Sequence, residues 1–180
     1  IRNNFVGQEL RGKRLGIVGY GRLGKMTAKY GVAFGMDVHA YDPFEKTDGV
    51  VRRLSLPELM SISDVVTIHV PLNTHTRGLV GSNELSLMKS STLLINTSRG
   101  EVVDETALLE SLNNNRIGGA ALDVLTGEAA KRLGSSWPNN DPLVHYARTN
   151  NNLVLTPHIG GATSDSLSAT DRFLARKVVS

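Results

Sequence analysis

The apolar run Leu15-Gly16-Ile17-Val18 passes without a spacer into Gly19-Tyr20-Gly21-Arg22-Leu23-Gly24, and a helical stretch from Lys25 to Ala33 follows at once. Few folds accept that order of strand, three glycines at fixed spacing, and helix. Glycine at 19 permits a tight turn out of the strand. Glycine at 21 removes the Cβ that would hold a pyrophosphate away from the backbone, and glycine at 24 lets helix and strand pack closely. The helix start then offers free N–H groups to phosphate charge. The chain has 18 glycines, so the spacing alone is a weak signal; the flanking strand and helix give it weight. Asp42 ends the next strand candidate, 18 residues past Gly24, near the spacing of a carboxylate that binds the adenosine ribose 2′-OH. An anion there repels a 2′-phosphate, which favours NAD over NADP. Read alone, Asp42-Pro43 is only the start of a turn.

The rest of the chain repeats strand and helix. Strand candidates are Arg14–Gly19, Val38–Tyr41, Val50–Arg53, Val65–Val70, Thr92–Asn96, Ala120–Val124 and Leu153–Thr156. Most are unbroken Val/Ile/Leu runs, the pattern of strands covered on both faces. Ser55 with Glu58 has capping-box spacing, and Pro57 is tolerated in a first turn. Asp104 precedes the helical run Ala107 to Leu112, which Asn113-Asn114-Asn115 closes. The expected fold is α/β: a Rossmann-type, doubly wound, mostly parallel sheet of about seven strands with helices on both faces. Residues 1–180 read as one dinucleotide-binding domain. Gly127 to Asn140, rich in Gly, Ser, Pro and Asn, reads as a surface loop, with Trp137 as its packing anchor.

Composition excludes several classes. There is no Cys, hence no disulfide, thiolate nucleophile or Cys-based zinc site. No apolar run is long enough to cross a bilayer. The sequence pI of 9.3 rests on an excess of three charges. The basic pairs Lys13-Arg14, Arg52-Arg53, Lys131-Arg132 and Arg176-Lys177 are scattered among acids, and aromatics are only 5%, which argues against nucleic acid as a partner. No His/Asp/Glu spacing resembles a metal site. His39 reads as a packed or edge residue, His69 as structural, His75 and His145 as surface positions. Asn96-Thr97-Ser98 matches the glycosylation pattern but lies at a strand end expected to be buried. The chain begins Ile1-Arg2-Asn3-Asn4, carries no signal peptide and stops inside a helical stretch, so it reads as a piece of a longer, cytoplasmic protein.

Ligands of open α/β sheets lie beyond the carboxyl ends of the strands, and three polar groups stand there. Thr97-Ser98-Arg99-Gly100 follows the fifth strand. Asp123 ends the sixth, with Glu128 five residues on. Pro157-His158-Ile159-Gly160-Gly161 follows the seventh. Singly, each has a bland reading: a carbonyl cap, a solvated charge, a loop histidine. Together they supply what carbonyl reduction needs. Arginine offers a planar fork for a carboxylate, histidine a proton donor and acceptor, and a neighbouring carboxylate orients the imidazole. Gly160 and Gly161 let the backbone come close to a ring.

These stretches carry a resemblance. Gly16 to Gly24, His69-Val70-Pro71-Leu72, Asn96 to Gly100, Ala121-Leu122-Asp123-Val124 and Thr156 to Gly161 run in the order found in the NAD-binding domain of the D-isomer-specific 2-hydroxyacid dehydrogenases, which the chain resembles as phosphoglycerate dehydrogenase-like. The resemblance implies that Arg99 binds the substrate carboxylate and polarises the 2-oxo group, that His158 is the acid/base, and that Glu128 is its partner. It implies Arg22 and Leu23 at the pyrophosphate, Val70 and Pro71 near the adenosine, Thr97 and Ser98 near the nicotinamide, and Asp123 at the carboxamide. Glu rather than Gln at 128 separates the chain from the formate dehydrogenase branch, while Ala129 stands where the family usually has Pro. The resemblance also implies a substrate domain, built from segments before and after this one and absent from this chain, a small 2-hydroxy or 2-oxo acid as substrate, and a homodimer. Two rivals share the fold: a non-catalytic NAD-sensing module like the family's corepressor relatives, and an isolated domain that binds NAD and catalyses nothing.

Overall fold

The computed structural model describes residues 7–45, 49, 51–128 and 140–179. In chain order they form β1 (Arg14–Val18), α1 (Arg22–Ala33), β2 (Asp37–Tyr41), β3 (Arg52–Arg53), α2 (Leu56–Ile62), β4 (Val65–Ile68), α3 (Ser82–Leu87), β5 (Leu93–Asn96), a 3-10 turn (Gly100–Val102), α4 (Glu105–Asn113), β6 (Gly119–Leu122), α5 (Pro142–Ala147), β7 (Leu153–Leu155) and α6 (Ser164–Val179). The strands make one sheet in the order β3-β2-β1-β4-β5-β6-β7, and every pairing is parallel. The order reverses between β1 and β4. There the chain leaves adjacent strands in opposite directions and opens a crevice at their carboxyl ends.

The helix starts carry the expected chemistry. At α2 the Ser55 side chain caps Glu58 N–H and the Glu58 carboxylate accepts from Ser55 N–H at 3.0 Å. At α4, Asp104 accepts from Thr106 and Ala107 N–H. Caps of this kind each contribute about 1 kcal/mol. Asn115, at φ 51, turns the chain out of α4, a conformation asparagine tolerates better than most residues.

Two apolar clusters hold the layers together. The larger lies between the sheet and α2–α5, with Leu59, Met60, Ile68, Leu85, Leu94, Leu108, Leu112 and Leu143 at its centre. The smaller lies under α1 and joins Leu15, Ile17, Tyr20, Ala28, Val38, Ala40 and Val51. Residues paired across a parallel sheet share a face. On the α1 face the row Ile17–Thr67–Ile95–Ala121–Val154 therefore runs out from under α1. Val154 at its far end is 57% exposed, and Leu93 on the same face is 47% exposed. The sheet is thus covered unevenly: α2–α5 cover one face, and α1 covers the β1–β2 end of the other.

Several boundaries differ from expectation. Gly19 and Val70 lie outside their strands, because both turn at the carboxyl edge. The third strand shrinks to Arg52–Arg53 at the sheet edge, and Val50 lies outside the described residues, as do Ala129 and Trp137. Helix α1 begins at Arg22, three residues before the expected Lys25. Among the described residues no helix is long and apolar enough to cross a membrane, and no His/Cys/Asp/Glu cluster could hold a metal.

Candidate active site

The glycine bend is built as a cradle. Gly19 has φ +96, and a Cβ there would lie 2.8 Å from both the His69 carbonyl carbon and Val70 Cγ1. A Cβ on Gly24 would meet Gly19 O at 2.0 Å, so α1 packs on the β1 turn at a distance only glycine allows. Gly21 is different: a Cβ on it would meet nothing within 4 Å. It faces open space beside a helix start that has no capping side chain and no acid in its first turn. A tight bend, an uncovered backbone and unshielded N–H groups are what a diphosphate requires. Arg22 and Leu23 stand exposed on that first turn. Val70, just past the end of β4, lies against the bend, and Pro71 follows it.

Asp42 closes the cradle on the β2 side. Its Oδ2 accepts from Tyr20 N–H at 2.8 Å, inside the glycine turn, and its Oδ1 accepts from Phe44 N–H at 2.8 Å and Glu45 N–H at 3.0 Å. Burial opposes its ionisation, but the three backbone donors, with Arg53 nearby, outweigh that and hold its carboxyl below the ordinary 3.8. The side chain is therefore a fixed anion at the lip of the site, as recognition of a ribose hydroxyl pair requires.

The other polar groups sit at the ends of β5, β6 and β7, three neighbouring strands about 5 Å apart. After β5, Asn96 is 1% exposed. Its Oδ1 accepts from Ser98 N–H and Oγ–H, and its Nδ2 donates to Arg99 O at 2.9 Å. This amide clamps the loop that carries Thr97, Ser98 and Arg99, with Thr97 and Arg99 exposed. Arg99 Nη1 donates to Ser98 O at 2.6 Å.

After β7, His158 adopts φ 57, a left-handed conformation uncommon outside glycine and adopted mainly by Asn, Asp and His. Asp123, 6% exposed at the end of β6, pins it there. Its Oδ1 accepts from Thr156 Oγ–H at 2.5 Å and Ile159 N–H at 2.9 Å, and its Oδ2 from Gly160 N–H at 2.8 Å. A Cβ on Gly160 would lie 2.9 Å from Asp123 Oδ2, so a larger residue would push that carboxylate aside. Gly161 is open. With the loop fixed, His158 Nδ1 faces Glu128 Oε1 in a direct hydrogen bond. The Glu128 side chain is 17% exposed and that of His158 36%.

Sequence reading did not foresee Asn96 and Asp123 as clamps. Both oxygens of Asp123 hold the β7 loop that carries His158. The signal was present for Asn96: a polar residue ending an apolar strand, followed by Thr-Ser, invites a side-chain-to-backbone turn. The remaining histidines lie apart. His39 is buried in β2, His69 is half-buried with Nε2 3.1 Å from Thr67 Oγ1, and His75 and His145 are exposed.

These charges predict how stability depends on pH. Asp64 and Asp123 share the state of Asp42. Burial opposes ionisation, but hydrogen bonds outweigh it: from Arg14 N–H and Lys89 for Asp64, and from Thr156, Ile159 and Gly160, with His158 nearby, for Asp123. A lowered folded pKa contributes stability that is complete above the ordinary 3.8 and lost as pH falls through the folded values. Burial lowers His69 below 6.5, so unfolding takes up a proton there below 6.5. Melting temperature is expected to decline first as pH drops below about 6.5 and more steeply below about 3.8. His69→Gln should flatten the first decline, and thermal melts from pH 8 to 3 check both.

A glycine cradle at the switch point, a fixed carboxylate at its rim and reactive groups along the same edge define a dinucleotide-binding α/β protein. Comparison with known proteins narrows the class. Residues 1–160 match the model of the D-isomer specific 2-hydroxyacid dehydrogenase, NAD binding domain. The chain belongs to that family, as its NAD-binding domain. It is 40% identical over 173 residues to D-3-phosphoglycerate dehydrogenase of Escherichia coli strain K12, covering 95% of this chain and 40% of that protein. It is 41% identical over 159 residues to glycerate dehydrogenase of Methylorubrum extorquens, covering 88% and 46%. A solved D-lactate dehydrogenase from Aquifex aeolicus, complexed with NAD and lactic acid, superposes at TM-score 0.88 with 34% identity over 97% of this chain and 55% of that one. A D-2-hydroxyisocaproate dehydrogenase superposes at 0.90 with 29% identity, covering 97% and 54%. The chain thus spans two fifths to about half the length of these relatives.

Proposed function

We propose that this chain serves an NAD-dependent oxidoreductase that interconverts a D-2-hydroxy acid and its 2-oxo acid, and that it supplies both the cofactor cradle and the reacting side chains. The observation that carries the reading is the His158–Glu128 hydrogen bond, held at the carboxyl edge of the sheet that presents Arg99 and the glycine cradle. Gly19, Gly21, Arg22, Leu23 and Gly24 take the diphosphate, Asp42 the ribose, and Val70 and Pro71 the adenosine side. Thr97, Ser98, Gly160 and Gly161 line the nicotinamide side, and Asp123 holds that wall in place. The bound dinucleotide supplies or takes up the hydride at substrate C2.

The chain's own groups do the rest. The Arg99 guanidinium grips the substrate carboxylate through paired N–H donors, and its charge draws electron density toward the 2-oxo oxygen. His158 Nδ1 is committed to Glu128, so Nε2 meets the reacting oxygen. It gives a proton as the oxo group becomes a hydroxyl and removes one in the reverse direction. Glu128 fixes the imidazole's orientation and offsets the charge of its protonated form. Asp42 supports NAD over NADP through repulsion of a 2′-phosphate. The substrate domain, the homodimer and the cytoplasmic setting belong to the same proposal. The dimer is supported by apolar side chains left exposed on α1 (Leu23, Met26, Tyr30) and α6 (Leu167, Phe173, Leu174).

The test is Arg99→Ala in the full-length protein, assayed with NADH and a panel of 2-oxo acids. We expect kcat/KM to fall about 10³-fold while NADH titrates as in the parent. Near-normal turnover in the variant would overturn the role of Arg99. A parent protein that binds NADH and turns over none of the panel would favour the non-catalytic rival.

A further inference from the structure

Two loops carry the proposed chemistry, and a seam joins them. A Cβ on Gly100, the residue after Arg99, would lie 2.1 Å from Leu125 C and 2.2 Å from Thr126 N, so the two backbones touch. Two half-buried carboxylates flank the contact. Glu105 Oε1, in the first turn of α4, accepts from Thr126 N–H at 2.5 Å, and Glu101 Oε1 accepts from Gly127 N–H at 3.3 Å. Glu128 N–H then donates to Leu125 O at 3.3 Å, closing a turn over 125–128. Glu128 is the next residue after those two tethered amides, and its carboxylate has to arrive at His158 Nδ1.

We propose that Glu105 is a positioning residue for the Glu128–His158 pair: by holding Thr126 N–H from the α4 start, it sets the turn that aims Glu128 and ties that turn to the Arg99 loop. This rests on the reading of the pair given above. A first-turn acid also favours a helix by its charge alone, and reach separates the two roles. Aspartate keeps the charge but is one methylene too short for the bond, whereas glutamine loses the charge but keeps an oxygen that can accept from Thr126 N–H.

The experiment is steady-state kinetics of the full-length protein with Glu105→Ala, Glu105→Asp, Glu105→Gln and, as reference, Glu128→Gln, each checked for folding by thermal melt. The expected result is a fall of about 10–100-fold in kcat for the Ala and Asp variants, with KM for NADH and for the 2-oxo acid within about twofold and most activity retained by Glu105→Gln. Should the Ala variant fail to fold, the Asp and Gln variants carry the comparison. The positioning role is overturned if Glu105→Asp keeps parental kcat while Glu128→Gln loses it, or if the loss falls on KM. If Glu128→Gln itself keeps parental kcat, the reading of the pair fails first and this inference with it.

Discussion

His158→Asn is expected to lower kcat by about 10²–10⁴-fold with the affinity for NADH unchanged. The choice of asparagine matters. The native residue sits at φ 57, where Asn is among the few non-glycine residues that rest comfortably. The variant therefore keeps the backbone and the clamp from Asp123 while removing the group proposed to exchange the proton. Alanine would confound the result, because it adds strain in the same region. The parental pH–rate profile should show a proton-dependent limb that the variant lacks. A variant with an unchanged profile and a small loss of rate would show that another group moves the proton.

Gly24→Ala is expected to abolish NADH binding and to lower stability by about 1–3 kcal/mol. A Cβ there meets Gly19 O at 2.0 Å. That atom is backbone and cannot rotate away, so relief comes only by lifting α1 off β1 or opening the Gly19 bend. Either movement removes the helix start from the phosphate position. Gly21→Ala is the control: its Cβ meets no protein atom within 4 Å, so it should fold and melt like the parent while still weakening NADH binding if the dinucleotide approaches on that side as proposed. Isothermal titration with NADH and chemical unfolding of both variants would distinguish the two. If both bound equally and neither was destabilised, the bend would not be the cradle.

The sheet was legible because most strands are apolar runs bounded by glycine or a polar residue, and the unbroken character of those runs, with the β1 turn, pointed to parallel pairing. The strand ends were legible for the same reason: polar residues placed right after apolar runs have little structural excuse. Less was readable where one side chain serves another segment's backbone. Asp123 was legible as a polar strand end, but its donors, Thr156, Ile159 and Gly160, lie more than thirty residues on. Glu105 reads in sequence as a helix-start acid, and its bond to Thr126 needs the register of β5 and β6 to exist first. The short helices α3 and α5 were likewise missed, since six residues are too few for a periodic pattern to show.

The uneven cover of the sheet leaves apolar side chains bare a short distance from the proposed chemistry. β7 is three residues long and β5 four, and Leu93 and Val154 stand bare on them. At about 3.3 Å per residue, Val154 lies within about 15 Å of chain from His158. Whatever comes to rest on Val154 is therefore separated from the imidazole by little more than a single strand's length.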